Sequence, residues 1–172
     1  TEDVIVVIHS GDDVRDIQVA IDKAKPGYIV NLGENYEYSN ISDINITKNL
    51  TILSGEDISL CSAEGALNVL NLISKSEGGP DWVNLTDIKF VLSNDVTVLS
   101  AKSEDLNGVI SDISAIYIEN NLFELAEGEN PNTITILKVR SDSKTFNPSN
   151  QIIVSQNTLI SGMSPFVLEN SY

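Results

Sequence analysis

Four short segments of this chain repeat one apolar pattern in one phase. They begin at Leu50, Val83, Ile116 and Ile152, so the spacings are 33, 33 and 36 residues. Each opens with two apolar residues one apart: Leu50 and Ile52, Val83 and Leu85, Ile116 and Ile118, Ile152 and Val154. The last three add an apolar residue seven positions after the first, at Phe90, Phe123 and Leu159. A second series lies between them, at Val69-Leu70, Val98-Leu99, Ile136-Leu137 and Val167-Leu168. Alternation with period two marks strands, and a repeat of this length is one supersecondary unit. If each unit turns corners and returns in phase, equivalent strands stack in parallel about 4.8 Å apart. The inward columns are then Leu50, Val83, Ile116 and Ile152, beside Ile52, Leu85, Ile118 and Val154. Each aliphatic buried in this way stabilises by roughly 1.5–3 kcal/mol.

Composition fits such a stack. At 172 residues the chain is one domain, 1–172, with enough length for a sizeable core. Aromatics are only 6%, so the core falls to the 21 Ile, 15 Val and 16 Leu. β-branched residues pack well on a pleated surface. Ile29-Val30-Asn31-Leu32, Ile44-Asn45-Ile46 and Leu50-Thr51-Ile52-Leu53 read as strands, punctuated by Asn, Asp, Ser and Gly at turns. Asn121 and Asn157 fall at equivalent positions and are expected to hydrogen-bond along the stack at a corner.

One segment has helical spacing instead. Val14, Ile17, Ala20, Ile21 and Ala24 share a face, while Arg15, Asp22, Lys23 and Lys25 take the other. Asp13 is the expected N-cap, with Asp16 three residues on. Pro26-Gly27 ends the helix. An amphipathic helix here has a purpose, because the first unit of a stack exposes apolar interior and unpaired edges. Residues 1–27 are therefore read as an N-terminal cap and 28–172 as coils. The far end carries no such cap, and the natural chain is expected to continue with further coils.

The stretch Asp16-Ile-Gln-Val-Ala-Ile-Asp-Lys-Ala-Lys-Pro-Gly-Tyr-Ile-Val-Asn-Leu-Gly33, followed by Tyr36 and Ile44-Asn-Ile-Thr-Lys-Asn-Leu-Thr-Ile-Leu-Ser-Gly55, resembles the opening of right-handed parallel β-helix domains of the pectin-lyase-like type. More narrowly it is similar to the adhesin-like surface proteins of methanogenic archaea. The detailed match covers residues 13–57, and a looser pattern covers 83–160. The resemblance implies an all-β, right-handed parallel β-helix (solenoid) with an N-terminal amphipathic capping helix. It implies an extracellular, cell-surface module whose partners are glycans or surface proteins of other cells. The same opening also precedes carbohydrate-active enzymes, so a polysaccharide lyase or glycoside hydrolase is the alternative. A passive structural stalk is a third.

Charge narrows the choice. The net charge is −15, from 25 acids against 10 bases. That argues against sequence-independent binding to nucleic acid and against an anionic membrane surface. No apolar run reaches the roughly 18 residues of a membrane span. Anchor and signal segments are absent from this chain, so targeting is expected to lie outside it. A polyanionic substrate would meet a repulsive field. Hydrolysis needs two carboxylates at a fixed separation, and calcium-assisted elimination needs several acids plus a base. The outward columns are Thr51, Asn84, Tyr117 and Ile153, then Leu53, Thr86, Glu119 and Ser155, with neither paired acids nor a base. Asp87, Asp95 and Glu119 are the best carboxylates, and nothing in the pattern assembles them, so no catalytic residue is assigned. Acid-rich turns at Asp12-Asp13, Glu56-Asp57, Glu104-Asp105 and Glu127-Gly128-Glu129 lack the spacing of a twelve-residue calcium loop. They leave structural calcium as the one ion to consider, with no cofactor. The single cysteine, Cys61, reads as a small buried hydrophobe.

The binding candidates are Trp82, Tyr117 and Glu119. Trp82 follows the turn-rich Gly78-Gly79-Pro80-Asp81, and exposed aromatics make platforms for sugars. The stretch between Asn71 and Trp82 and that between Ala126 and Thr133 are the longest expected loops. Sequons stand at Asn40, Asn45, Asn49 and Asn84. If they bear sugar, native material weighs more than the 18.7 kDa chain by intact mass spectrometry. An unmodified mass would reduce the sequons to chance matches in an Asn-, Ser- and Thr-rich sequence.

Overall fold

The structure, a computed structural model, describes residues 3–74, 80–103, 115–130, 133–141, 151–155, 157–159 and 164–170. Most of these residues lie in strands, and every strand pairing is parallel. Three sheets result. The first orders β1 (Val4–Val6), β2 (Ile29–Asn31), β5 (Leu50–Leu53), β8 (Trp82–Thr86), β11 (Ala115–Glu119) and β14 (Gln151–Ser155). The second orders β3 (Tyr36–Ile41), β6 (Ile58–Ser62), β9 (Lys89–Leu92), β12 (Leu122–Leu125) and β15 (Thr158–Leu159). The third orders β4 (Ile44–Ile46), β7 (Asn68–Ser74), β10 (Thr97–Ser103), β13 (Thr135–Ser141) and β16 (Ser164–Asn170). From β2 onward the chain visits the three sheets in rotation, adding one strand to each per circuit.

Registers reproduce the columns expected from the sequence. Leu50 pairs with Val83, Val83 with Ile116, and Ile116 with Ile152. Beside them run Val30, Ile52, Leu85, Ile118 and Val154. In the second sheet Tyr38, Leu60, Phe90 and Phe123 stack, and the Phe90 and Phe123 rings lie nearly parallel with centroids 5.2 Å apart. In the third sheet Ile44, Leu70, Leu99 and Leu137 align. The inward side chains of these columns from Val30 to Leu137 form one contiguous core. The fourth member of the third-sheet series is corrected. Leu137 pairs with Phe166, and Leu168 pairs with Val139. A slip of two residues leaves every side chain on the same face, so a period of two cannot detect it.

Corners use left-handed backbone. Asn35, Asp57, Asp87 and Asn120 all have φ between 55° and 59°, and they occupy equivalent positions between the first and second sheets. Asn and Asp tolerate this conformation better than other residues with a Cβ. One position later the column runs Ile58, Ile88, Asn121 and Asn157. Asn121 is 2% exposed. Its Nδ2 donates to the Leu85 carbonyl at 3.0 Å, and its Oδ1 accepts from the Ile88 amide at 3.0 Å. Asn157 repeats the pattern one circuit on, donating to the Ile118 carbonyl at 2.8 Å and accepting from the Asn121 amide at 3.0 Å. The expected corner ladder is thus present.

The helix is α1 (Asp13–Lys23). Its N-cap is Asp12, whose carboxylate accepts from the Arg15 amide, so the expected cap moves by one residue. Asp16 does not close a capping box. Its carboxylate accepts from the Ser10 amide at 2.7 Å and the Ser10 hydroxyl at 2.5 Å, and it lies in the turn above the cap. Gly27, at φ 90°, donates its amide to the Asn49 carbonyl and turns the chain into β2. Strand β1 precedes the helix and was not expected, because Val4-Ile5-Val6-Val7-Ile8 is a continuous apolar run with no alternation.

Replacing Asn121 by Ala should strand the Ile88 amide and the Leu85 carbonyl inside the corner. The expected cost is about 2–4 kcal/mol in urea unfolding. Asn120→Gly, at the neighbouring left-handed position, should stay within about 0.5 kcal/mol. Equal costs at the two sites would contradict the ladder.

Candidate functional site

The outer face of the first sheet brings the sequence-derived binding residues together. Trp82, Asn84 and Thr86 alternate with inward Val83 and Leu85 along β8 and are half-buried. Tyr117 and Glu119 hold the same face of β11, in register with Asn84 and Thr86. Trp82 pairs in register with Ala115, which sets the indole diagonally across from the Tyr117 ring position. Adjacent parallel strands lie about 4.8 Å apart, so a diagonal neighbour two residues along is about 8 Å away. The face continues through Thr51 and Leu53 on one side and Ile153 and Ser155 on the other.

Asn49 holds the entry to this face. Its Oδ1 accepts from the amides of Asp81 and Trp82 at 2.6 and 3.2 Å, one circuit on. Of the four sequon residues, Asn40 and Asn45 are exposed and Asn49 and Asn84 are half-buried. Asn40 sits at φ 58°, and the Asn45 Oδ1 accepts from Asn71 Nδ2.

The carboxylates named from the sequence separate. Asp87 belongs to the corner column and Glu119 to the sheet face. Asp95 lies between β9 and β10, where its amide donates to Thr133 Oγ1. A shallow polar groove follows the corner past Asp57, Asp87, Lys89 and Asn120. Among the described residues no group of three or more His, Cys, Asp or Glu could hold a metal ion. Of the acid-rich turns, Glu104-Asp105 lies outside the described residues, as do residues 75–79 of the expected 71–82 loop. The first part of that loop is strand, because β7 runs on to Ser74. Residues 131–132 of the second expected loop also lie outside them.

Cys61 is corrected. It is half-buried, because it takes an outward position in β6 next to buried Leu60 and half-buried Ser62. Burial and the nearby Glu37 carboxylate raise its thiol pKa, which keeps it a weak nucleophile.

A second cluster was missed from the sequence. His9 stacks on Tyr36 with ring centroids 3.8 Å apart, and Tyr36 meets Tyr38 edge-on at 4.7 Å. The Tyr36 hydroxyl donates to Asp13 at 2.6 Å, which raises its pKa. Tyr38 is raised by burial, and its hydroxyl donates to the Leu32 carbonyl. No spacing in the sequence links His9 to residues 27 and 29 positions later; only the circuit does.

The chain was compared with protein-family models, curated proteins and solved structures, and none matches.

The Ser10 bonds lower the Asp16 pKa. A lowered carboxylate contributes stability that is complete above its unfolded value, about 3.9. That contribution is lost as pH falls through the folded value. The stability difference between the wild type and Ser10→Ala should therefore be constant at neutral pH and shrink below about pH 4. Urea unfolding across pH 7 to 3 reads it, and a difference that ignores pH would contradict the assignment.

Proposed function

We propose that the chain is a non-catalytic, adhesin-like module of a cell-surface protein, built as a right-handed parallel β-helix with α1 as its N-terminal cap. Three parallel sheets visited in rotation support the solenoid. The contacts of α1 with β3 and β4, the first strands of their sheets, support the cap. The rigid stack presents a face for glycans or surface proteins of other cells.

One observation carries the binding reading: Trp82, Asn84, Tyr117 and Glu119 converge on one outward face of two adjacent strands. Aromatic rings offer apolar surface that stacks on the C–H face of a pyranose, and an amide and a carboxylate engage its hydroxyls. An outward sheet face of half-buried side chains suits an extended chain of sugars better than a single buried one. The −15 net charge favours neutral glycans over polyanionic ones.

The test is binding of the domain, presented multivalently, to microbial cells and a panel of polysaccharides, with released sugars assayed in the same samples. Saturable binding without product is expected. Trp82→Ala and Tyr117→Ala should each weaken it at least about tenfold while leaving the fold intact. Product release would favour the enzyme. Binding that both variants retain would move the site elsewhere.

A further inference from the structure

Among the described residues, two of the three starting edges of the stack are bonded by α1, and the third meets no strand. Gln18 spans the edge of β4, accepting from the Asn45 amide at 2.8 Å and donating to its carbonyl at 3.0 Å. Asp13 accepts from the Ser39 amide of β3 at 2.8 Å. The first sheet instead begins with β1. The Ile29 amide donates to the Asp3 carbonyl, and the Val7 amide donates to the Asn31 carbonyl, both at 3.0 Å. β1 therefore turns its odd-numbered residues toward β2. Alternate residues of a parallel strand face the other way, so Val4 and Val6 direct their N–H and C=O outward. Among the described residues no strand pairs with that side.

An open cleft of about 360 Å³ lies between this edge and α1. Its apolar part is Ile5, Val6, Ile8, Val19 and Ala20, of which Val6, Ile8 and Val19 are 54%, 78% and 38% exposed. Arg15, Val19 and Lys23 follow one another at four-residue steps and line its length. They make a cation–apolar–cation stripe in a chain of only ten bases. Asp16 is the one acid in the lining, and both of its oxygens are occupied by Ser10.

We propose that this cleft docks an extended peptide strand of a partner protein. The strand pairs with β1 and turns carboxylate, apolar and carboxylate side chains toward α1 at alternate positions. The spacing fits, because four helical residues rise about 6 Å and two strand residues about 6.6 Å. Backbone pairing to Val4 and Val6 gives affinity, and the stripe gives specificity. A second copy is the poorer occupant. Self-pairing of a three-residue strand falls far short of the roughly 1,200 Å² that a stable interface buries.

The probe is an acetylated, amidated peptide Thr-Glu-Thr-Val-Thr-Glu-Thr, with a counterpart carrying Lys for Glu. Titration of isotope-labelled protein by NMR should give saturable shifts at residues 4–8 and at Val19. The Lys peptide should bind at least about tenfold more weakly, and Arg15→Glu with Lys23→Glu should reverse that preference. Val6→Pro removes an outward donor while leaving the bonds to β2, and it should weaken binding with an unchanged circular dichroism spectrum. Equal binding of the two peptides, shifts confined to other surfaces, or no saturation at millimolar peptide would overturn the proposal. Self-association through residues 4–8 without peptide would assign the cleft to a second copy and overturn it as well.

Discussion

The rest of the structure depends on the in-register parallel ladder. Parallel pairing sets each residue beside its equivalent one circuit away, so each position becomes a column. An inward column must be apolar throughout, because one polar member would lie between two apolar neighbours with nothing to bond. Leu50, Val83 and Ile116 obey this, as do Tyr38, Leu60, Phe90 and Phe123. Where a column does become polar, at Asn121 and Asn157, the side chains bond the backbone of the preceding circuit and each other. The corner column of left-handed Asn and Asp residues turns the circuits at Asn35, Asp57, Asp87 and Asn120 in the same way.

A ladder of this kind has ends, and the ends define its chemistry. Strand edges carry backbone donors and acceptors that water or another chain will take. At the N-terminal end α1 bonds two edges through Asp13 and Gln18, and Lys48 bonds the carbonyls of Asp22 and Ala24 at the helix C-terminus. β1 carries the first sheet one strand further than the other two, and its outer edge meets an apolar cleft flanked by cations. The broad faces differ from the ends. The inner strands of each sheet pair on both sides, so recognition there falls to side chains such as Trp82, Tyr117 and Glu119.

Much of this is legible in the sequence because the repeat length from β5 to β14 of the first sheet is nearly constant. Spacings of 33 residues identify the partners of Leu50, Val83 and Ile116 without knowledge of the corners. They also imply that Trp82 and Tyr117 are neighbours. Legibility fails where the signal is degenerate. Alternation does not distinguish Phe166 from Leu168. Adjacent acids do not reveal whether Asp12 or Asp13 caps the helix. The run from Val4 to Ile8 has no periodicity, so β1 and its cleft are invisible, although the spacing of Arg15, Val19 and Lys23 is plain. His9 meets Tyr36 only because a whole circuit folds between them.

The most direct test of the ladder is disulfide cross-linking in a Cys61→Ser background. Cysteine pairs would be placed at register partners, Thr51 with Asn84, Glu37 with Ser59, and Asn45 with Asn71, one pair per sheet. Partners about 4.8 Å apart fall within the Cα range of a disulfide, whereas a pair shifted by two residues, such as Thr51 with Thr86, stands about 8 Å apart and does not. The account predicts ready oxidation of the three register pairs and none of the shifted pair. Cross-linking of the shifted pair in preference to Thr51 with Asn84 would contradict it.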